Sequence, residues 1–426
     1  MTGQSRRSLL AAVGTALTGT LAGCASLLSE ERRIEYDESA LADLPGELPS
    51  VPAAEPVQPT AEHLAAARER IRSLLNDDLS RVPNAAVRER LARERQSARE
   101  ALSAASAEKT RVDAVEGLTH PRSEAMFVNA GLAAFDGTLA ESDLAARRER
   151  HRREATALLD DYRYVGSPDA PAAALAEHAR IVGWAETGVR LLGGDERQRF
   201  ENEVLQTAEL AKEIEWGRAY AADARRLDDH YRSTLSAPTD YGDRFARAAD
   251  TLVEAVETHS EAPDWETLTT GFDRDIEHTA AETLLEELAR SRLAHAQNAV
   301  EDRSDGRPTL AVVSCLQALV ADRAFVDATE AVEDGSYGVP ESVEPIAETR
   351  TAAVGALRTL LETTPEPLAR WLATQVATQI RVADRRVERG RVGSPGDYLY
   401  AEYATAKHFA AAAPPAVRRV GDTLDE

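Results

Sequence analysis

The stretch VPNAAVRERLARERQSAREALSAASAEKTRVDAVEGL, residues 82–118, decides the fold class. Ala, Leu, Arg and Glu dominate it, and these side chains lose little freedom in a helix. Pro83 stands near its start and Gly117 near its stop, where proline and glycine suit helix ends. Read as one helix, it spans ~50 Å at about 1.5 Å per residue. Val87, Leu91, Ala98, Ala101, Ala105, Val112 and Val115 keep a loose heptad, which Glu94 and Glu108 interrupt. An Ala-rich coiled-coil seam with two charged breaks predicts one arm of a helical hairpin in a bundle.

The same composition fills residues 60–426, and no run of alternating β-branched residues argues for a strand. Thr60-x-x-His63 opens another helix. Breaks follow at GLTHP (117–121), VGSPDAP (165–171), LLGGD (191–195), SAPTDYG (236–242) and EAPD (261–264). Others lie at RSDGRP (303–308), GSYGVPE (335–341), TTPEP (363–367), VGSPGD (392–397) and AAAPPA (411–416). They predict some ten helices in an all-α, multi-helix bundle of long antiparallel hairpins, with a subdivision near 236–242. Val165-Gly166-Ser167-Pro168 recurs as Val392-Gly393-Ser394-Pro395, each copy after an arginine cluster. In the first cluster stand Arg147, Arg148, Arg150, Arg152 and Arg153; in the second, Arg381, Arg385, Arg386, Arg389 and Arg391. The recurrence admits two similar halves, but Ser-Pro is also an ordinary helix start and arginines suit a helix C-terminus.

The N-terminal 24 residues have a different character. Arg6 and Arg7 precede an apolar run, Leu9–Ala22, too short to span a bilayer, and Leu21-Ala22-Gly23-Cys24 closes it. The paired arginines resemble a twin-arginine export signal, and Leu-Ala-Gly-Cys resembles a lipobox. The resemblance implies a signal peptide over 1–23, passage through twin-arginine export machinery, and lipid on Cys24. That lipid would hold the chain at the extracellular face of the cell membrane. Residues 24–59, with Pro45, Pro49, Pro52, Pro56 and Pro59, read as an extended tether.

Lys and Arg total 50 against 73 Asp and Glu, a net charge of −23, and only Lys109, Lys212 and Lys407 are lysine. This acid-rich, arginine-for-lysine balance resembles exported proteins of haloarchaeal type, in which salt screens self-repulsion. It argues against nucleic acid as a partner, because phosphate binding needs a basic face. With Cys24 assigned to lipid, only Cys315 remains, inside the apolar run LAVVSCLQALV, and it reads as a core residue.

None of the nine histidines follows a Glu by three positions, as a di-iron bundle requires. Motifs for zinc proteases, haem attachment, serine hydrolases and phosphate loops are likewise missing. No catalytic residue and no cofactor is therefore assigned. The one candidate cation cluster is Asp275, His278 and Glu282, which helical spacing would place on one face. Trp184, Trp216, Trp265 and Trp371 with Tyr162, Tyr164 and Tyr220 are candidates for a pocket or for core anchors. The expectation is a lipid-anchored protein that binds or scaffolds, with a protein partner. An enzyme with a site in a bundle cleft and a solute-binding lipoprotein of a transporter are the alternatives. A deep cleft between two helical halves would favour the last.

Overall fold

The computed structural model describes residues 41–426 apart from 42, 45, 76–77, 105–109, 195–197, 339, 341 and 389–395. The signal (Arg6, Arg7), the lipobox (Leu21–Cys24) and the second Val-Gly-Ser-Pro copy lie outside the described residues. The chain is all-α: α1 (Ala61–Leu74), α2 (Ala85–Ala104), α3 (Arg111–Glu116), α4 (Thr119–Phe135), α5 (Glu141–Asp160), α6 (Pro171–Leu192) and α7 (Glu203–Thr234) come first. There follow α8 (Gly242–Val256), α9 (Ala280–Ser304), α10 (Pro308–Glu333), α11 (Val343–Leu361), α12 (Glu366–Glu388) and α13 (Gly396–Asp425). Two-residue strands β1 (Val165–Gly166) and β2 (Thr239–Asp240) pair antiparallel, Val165 opposite Asp240 and Gly166 opposite Thr239.

The stretch 82–118 is not one rod. Thr110 has φ −57° and ψ 157°, incompatible with a continuing helix, and its side chain accepts from the Asp113 N–H. A new helix, α3, therefore starts there. Glu94, expected as a break in the seam, is buried and paired with Lys212 Nζ at 3.0 Å and Arg90 at 2.6 Å. The AAAPPA break is also corrected: α13 runs through Pro414 and Pro415. Ala412, Ala413, Ala416 and Val417 around them are buried, so packing outweighs the lost backbone hydrogen bonds.

α4, α5, α6 and α7 form the first half, and α6 and α7 approach unusually closely. A Cβ on Gly188 would sit 2.9 Å from the Gly217 carbonyl oxygen, and one on Gly217 would sit 3.0 Å from the Gly188 oxygen. Glycine is required at both positions because backbone meets backbone. In the second half α8, α9 and α13 pack against α10, and α11 and α12 pack against α13. By length and composition α10 is apolar enough to cross a membrane, yet Val312, Cys315, Leu316, Val320 and Ala324 are fully buried in the protein core. Leu175 and Ala179 of α6 join this same core, so α6 fastens the halves together.

The tether expectation is corrected where the chain is described. Leu41 is completely buried against the second-half core, and Ala54 and Glu55 are 6% exposed. Arg350 of α11 donates to the Gly46 carbonyl at 2.8 Å. Arg180 of α6 holds Glu55 at 2.8 Å, and the Val57 N–H donates to Glu177 at 3.2 Å. Residues 46–57 thus form a strap pinned to both halves. Its prolines keep the chain out of regular helix, and specific ion pairs, absent from any composition argument, dock it.

Candidate binding cleft

The strap roofs a cleft between α3 and α12. Thr374, Thr378, Arg381 and Arg385 recur at helical spacing along one face of α12 and form one wall. Asp113 and Glu116, on the short helix that Thr110 starts, form the facing wall. The part beside Gly46, Glu47 and Leu48 measures about 820 Å³, and the adjoining part under Val51–Glu55 about 530 Å³. Both share Asp113, Glu116 and Arg381. Such volumes fall within the range of small-ligand sites, roughly 300–1,000 Å³.

Two arginines build the cleft. At one end Arg350 pairs with Asp384, Nε to Oδ1 and Nη2 to Oδ2, both at 2.8 Å. Tyr403 donates to the same Asp384 Oδ1 at 2.6 Å. This Asp384 carboxylate accepts three hydrogen bonds, so its buried charge is compensated. At the other end Arg180 bridges Glu55 at 2.8 Å and Glu116 at 3.0 Å, with its guanidinium 5.1 Å from the Trp371 ring centre. Burial works against the Arg180 charge, but Glu55 and Glu116 outweigh it and hold the proton more firmly than in a free guanidinium.

A separate buried polar group lies behind the strap. Tyr162 OH is 2.6 Å from His178 Nδ1, and His178 Nε2 is 2.8 Å from the Val165 carbonyl. A carbonyl only accepts, so Nε2 carries the hydrogen and Nδ1 accepts from the tyrosine. Burial holds this imidazole neutral, pushing its pKa down to about 4. Beside it, burial lifts Glu177 to about 8. Deeper still, Asp223 of α7 is completely buried and accepts from Arg122, with His63 at 2.8 Å. Burial opposes its charge, but Arg122 and His63 keep the carboxyl below its usual range. None of these groups lines the cleft, and each has a hydrogen-bond partner within the fold, as buried polar groups of structural type do.

The other sequence candidates fall elsewhere. Asp275 and His278 precede α9, so with Glu282 they share no helix face. His278 is left-handed at φ 59° with its side chain 94% exposed, while Asp275 and Glu282 accept from the Glu277 and His278 N–H groups. Thr279 caps α9 and stops it extending back over them. Among the described residues no group of three or more His, Cys, Asp or Glu side chains is placed to hold a metal ion. Of the aromatic candidates only Trp371 lines the cleft. Tyr162 and Tyr164 pack edge-on to His178, Trp184 packs on Tyr220, Trp216 lies against His120, and Trp265 is exposed beside Arg290. Arg152 and Arg153 pair with Glu149 on the exposed face of α5. Cys315 is buried, and burial pushes its thiol up to about 12.

In the sequence Arg381 and Arg385 stand out only as members of a repeated arginine cluster, and their i, i+4 spacing on α12 is the signal available for them. Asp113, Glu116, Arg180 and Glu55 carried none, since their meeting depends on the strap.

Residues 62–237 match the family model described as Domain of unknown function (DUF8262), and residues 242–422 match Domain of unknown function (DUF8264). The first match takes in α3 and α6, the second α12, so the cleft walls come from both. No curated protein and no solved structure matches the chain.

Proposed function

We propose that this chain is an exported lipoprotein of haloarchaeal type that acts by binding at the outer face of the cell membrane, with the strap-roofed cleft as its site. The observation that carries the reading is a cleft lined by charged side chains, whose walls come from two helical halves and whose roof is the N-terminal strap. The lipid on Cys24 is supported by Leu-Ala-Gly-Cys after an apolar run that follows Arg6 and Arg7. The cleft also favours a second reading, a solute-binding lipoprotein of a transporter, because sites of that class lie between two lobes.

The test is purification from native membranes at native salt, with identification of everything retained, for the wild type and for Arg381→Gln. A stoichiometric protein partner lost in Arg381→Gln supports binding or scaffolding through the cleft. A small molecule lost in the same variant supports the solute-binding reading. An identical retained set in both proteins overturns the assignment to the cleft. The anchor is tested separately: Cys24→Ser releases the protein from the membrane fraction, and continued retention refutes lipid attachment.

A further inference from the structure

Most arginines near the halves' junction close onto a carboxylate: Arg350 on Asp384 at 2.8 Å, Arg180 on Glu55 at 2.8 Å, Arg307 on Glu186 at 2.6 Å. Arg381 and Arg385 do not. They stand one turn apart on the cleft wall, both exposed, and make no ion pair among the described residues. Arg385 Nε donates only to the Arg381 carbonyl, at 3.2 Å. Asp113 and Glu47 line the same cleft and make no ion pair either among the described residues. Opposite charges therefore share one cavity without reaching each other. Two adjacent guanidinium forks suit a carboxylate, which accepts parallel N–H bonds from them. The facing carboxylates suit an ammonium group.

A second, independent feature narrows the ligand. From Glu47 to Pro56 the strap backbone makes no hydrogen bond among the described residues, although it forms the cleft roof. The N–H groups of Leu48, Val51, Ala53 and Ala54 are thus left for water or a ligand. An extended peptide satisfies such a row through its own main chain, as in strand addition to a free edge. A peptide also spaces its two end charges by about 3.3–3.6 Å per residue, so it can address charges on facing walls while its main chain lies along the strap.

We infer that the cleft binds a short peptide with free termini, its carboxylate on Arg381 and Arg385, its ammonium on the Asp113 side, and its main chain along the strap. The inference rests on the cleft being the binding site and names its ligand class. The large acidic excess of the chain does not oppose a zwitterion, as it would an anion.

The experiment is calorimetric titration of the full-length protein, purified from its membranes, with tetra-alanine in three forms: free termini, N-acetylated and C-amidated. The free form binds, and each blocked form binds at least tenfold more weakly. Arg385→Gln removes the difference between the free and amidated peptides and keeps that between the free and acetylated ones; Asp113→Asn does the reverse. Equal binding of all three forms, or binding of none, overturns the inference. The wild-type comparison alone decides this if a variant loses its helical circular dichroism. Where no peptide binds but the membrane purification still shows a companion lost in Arg381→Gln, the ligand class falls and the cleft assignment stands. Where neither is seen, both fall.

Discussion

Arg350 and Asp384 meet through two parallel 2.8 Å hydrogen bonds, and the same Arg350 Nη2 also holds the Gly46 carbonyl at 2.8 Å. One guanidinium thus fixes α12 and the strap together. Arg350→Met leaves the buried Asp384 charge with only Tyr403 to compensate it, and we expect a loss of about 3–5 kcal/mol. The double variant Arg350→Met, Asp384→Leu recovers part of that loss, because no charge is then stranded. Denaturant unfolding of both proteins checks the ordering.

Stability depends on pH through Glu177. Its carboxyl is pushed from 4.5 in the unfolded chain up to about 8 in the fold. The folded state therefore binds more protons, and the contribution is fully present below pH 4.5 and lost as pH rises through about 8. Glu177→Gln flattens the fall of stability over that window, as thermal unfolding at stepped pH will show. His178 works in the opposite sense: its pKa is depressed from 6.5 to about 4, so its contribution is present above 6.5 and lost as pH falls through about 4.

The close approach of α6 and α7 is tested at Gly188. A methyl group there meets the Gly217 oxygen and the Ala221 nitrogen at 2.9 and 3.0 Å, backbone atoms that yield only if the helices separate. Despite the better helix propensity of alanine, Gly188→Ala destabilises the protein by about 1–3 kcal/mol, the usual range for overpacking. Gly355→Ala, with open space around its Cβ position, is neutral or stabilising. The pair of melting temperatures separates packing from propensity.

The acidic balance makes a solvent prediction. A net charge of −23 repels itself in dilute buffer and is screened within about 3 Å at 1 M salt. Helical circular dichroism falls as salt is lowered from molar to millimolar concentrations. A spectrum indifferent to salt contradicts the halophilic reading.

How much of this was legible in the sequence follows from the range over which each signal acts. Helices announce themselves locally: Pro308 after Gly306, or Thr60 before His63, marks a start with no tertiary information. The errors arose where distant contacts override local cues. Pro414 and Pro415 read as a break, yet the buried alanines and Val417 beside them hold α13 straight through. Thr110 reads as an unremarkable residue within a long helical stretch, yet its cap starts the short helix that carries Asp113 to the cleft. The proline-rich segment reads as a free stalk because nothing local reveals that Glu55 will find Arg180, 125 residues away. The cleft was illegible for the same reason, its walls and roof coming from three remote parts of the chain.

That remoteness orders events in time. Gly46 is bonded to a residue 304 positions later. During synthesis the strap emerges long before α11 and α12 exist to receive it, and closing so long a loop is entropically costly. The first half can assemble α4, α6 and α7 while its leading segment still lacks its anchor on Arg350. The Glu55 end of the roof can dock on Arg180 early, but its Gly46 end closes only after α11 has emerged, and a chain truncated before Arg350 lacks both the α12 wall and that closing contact.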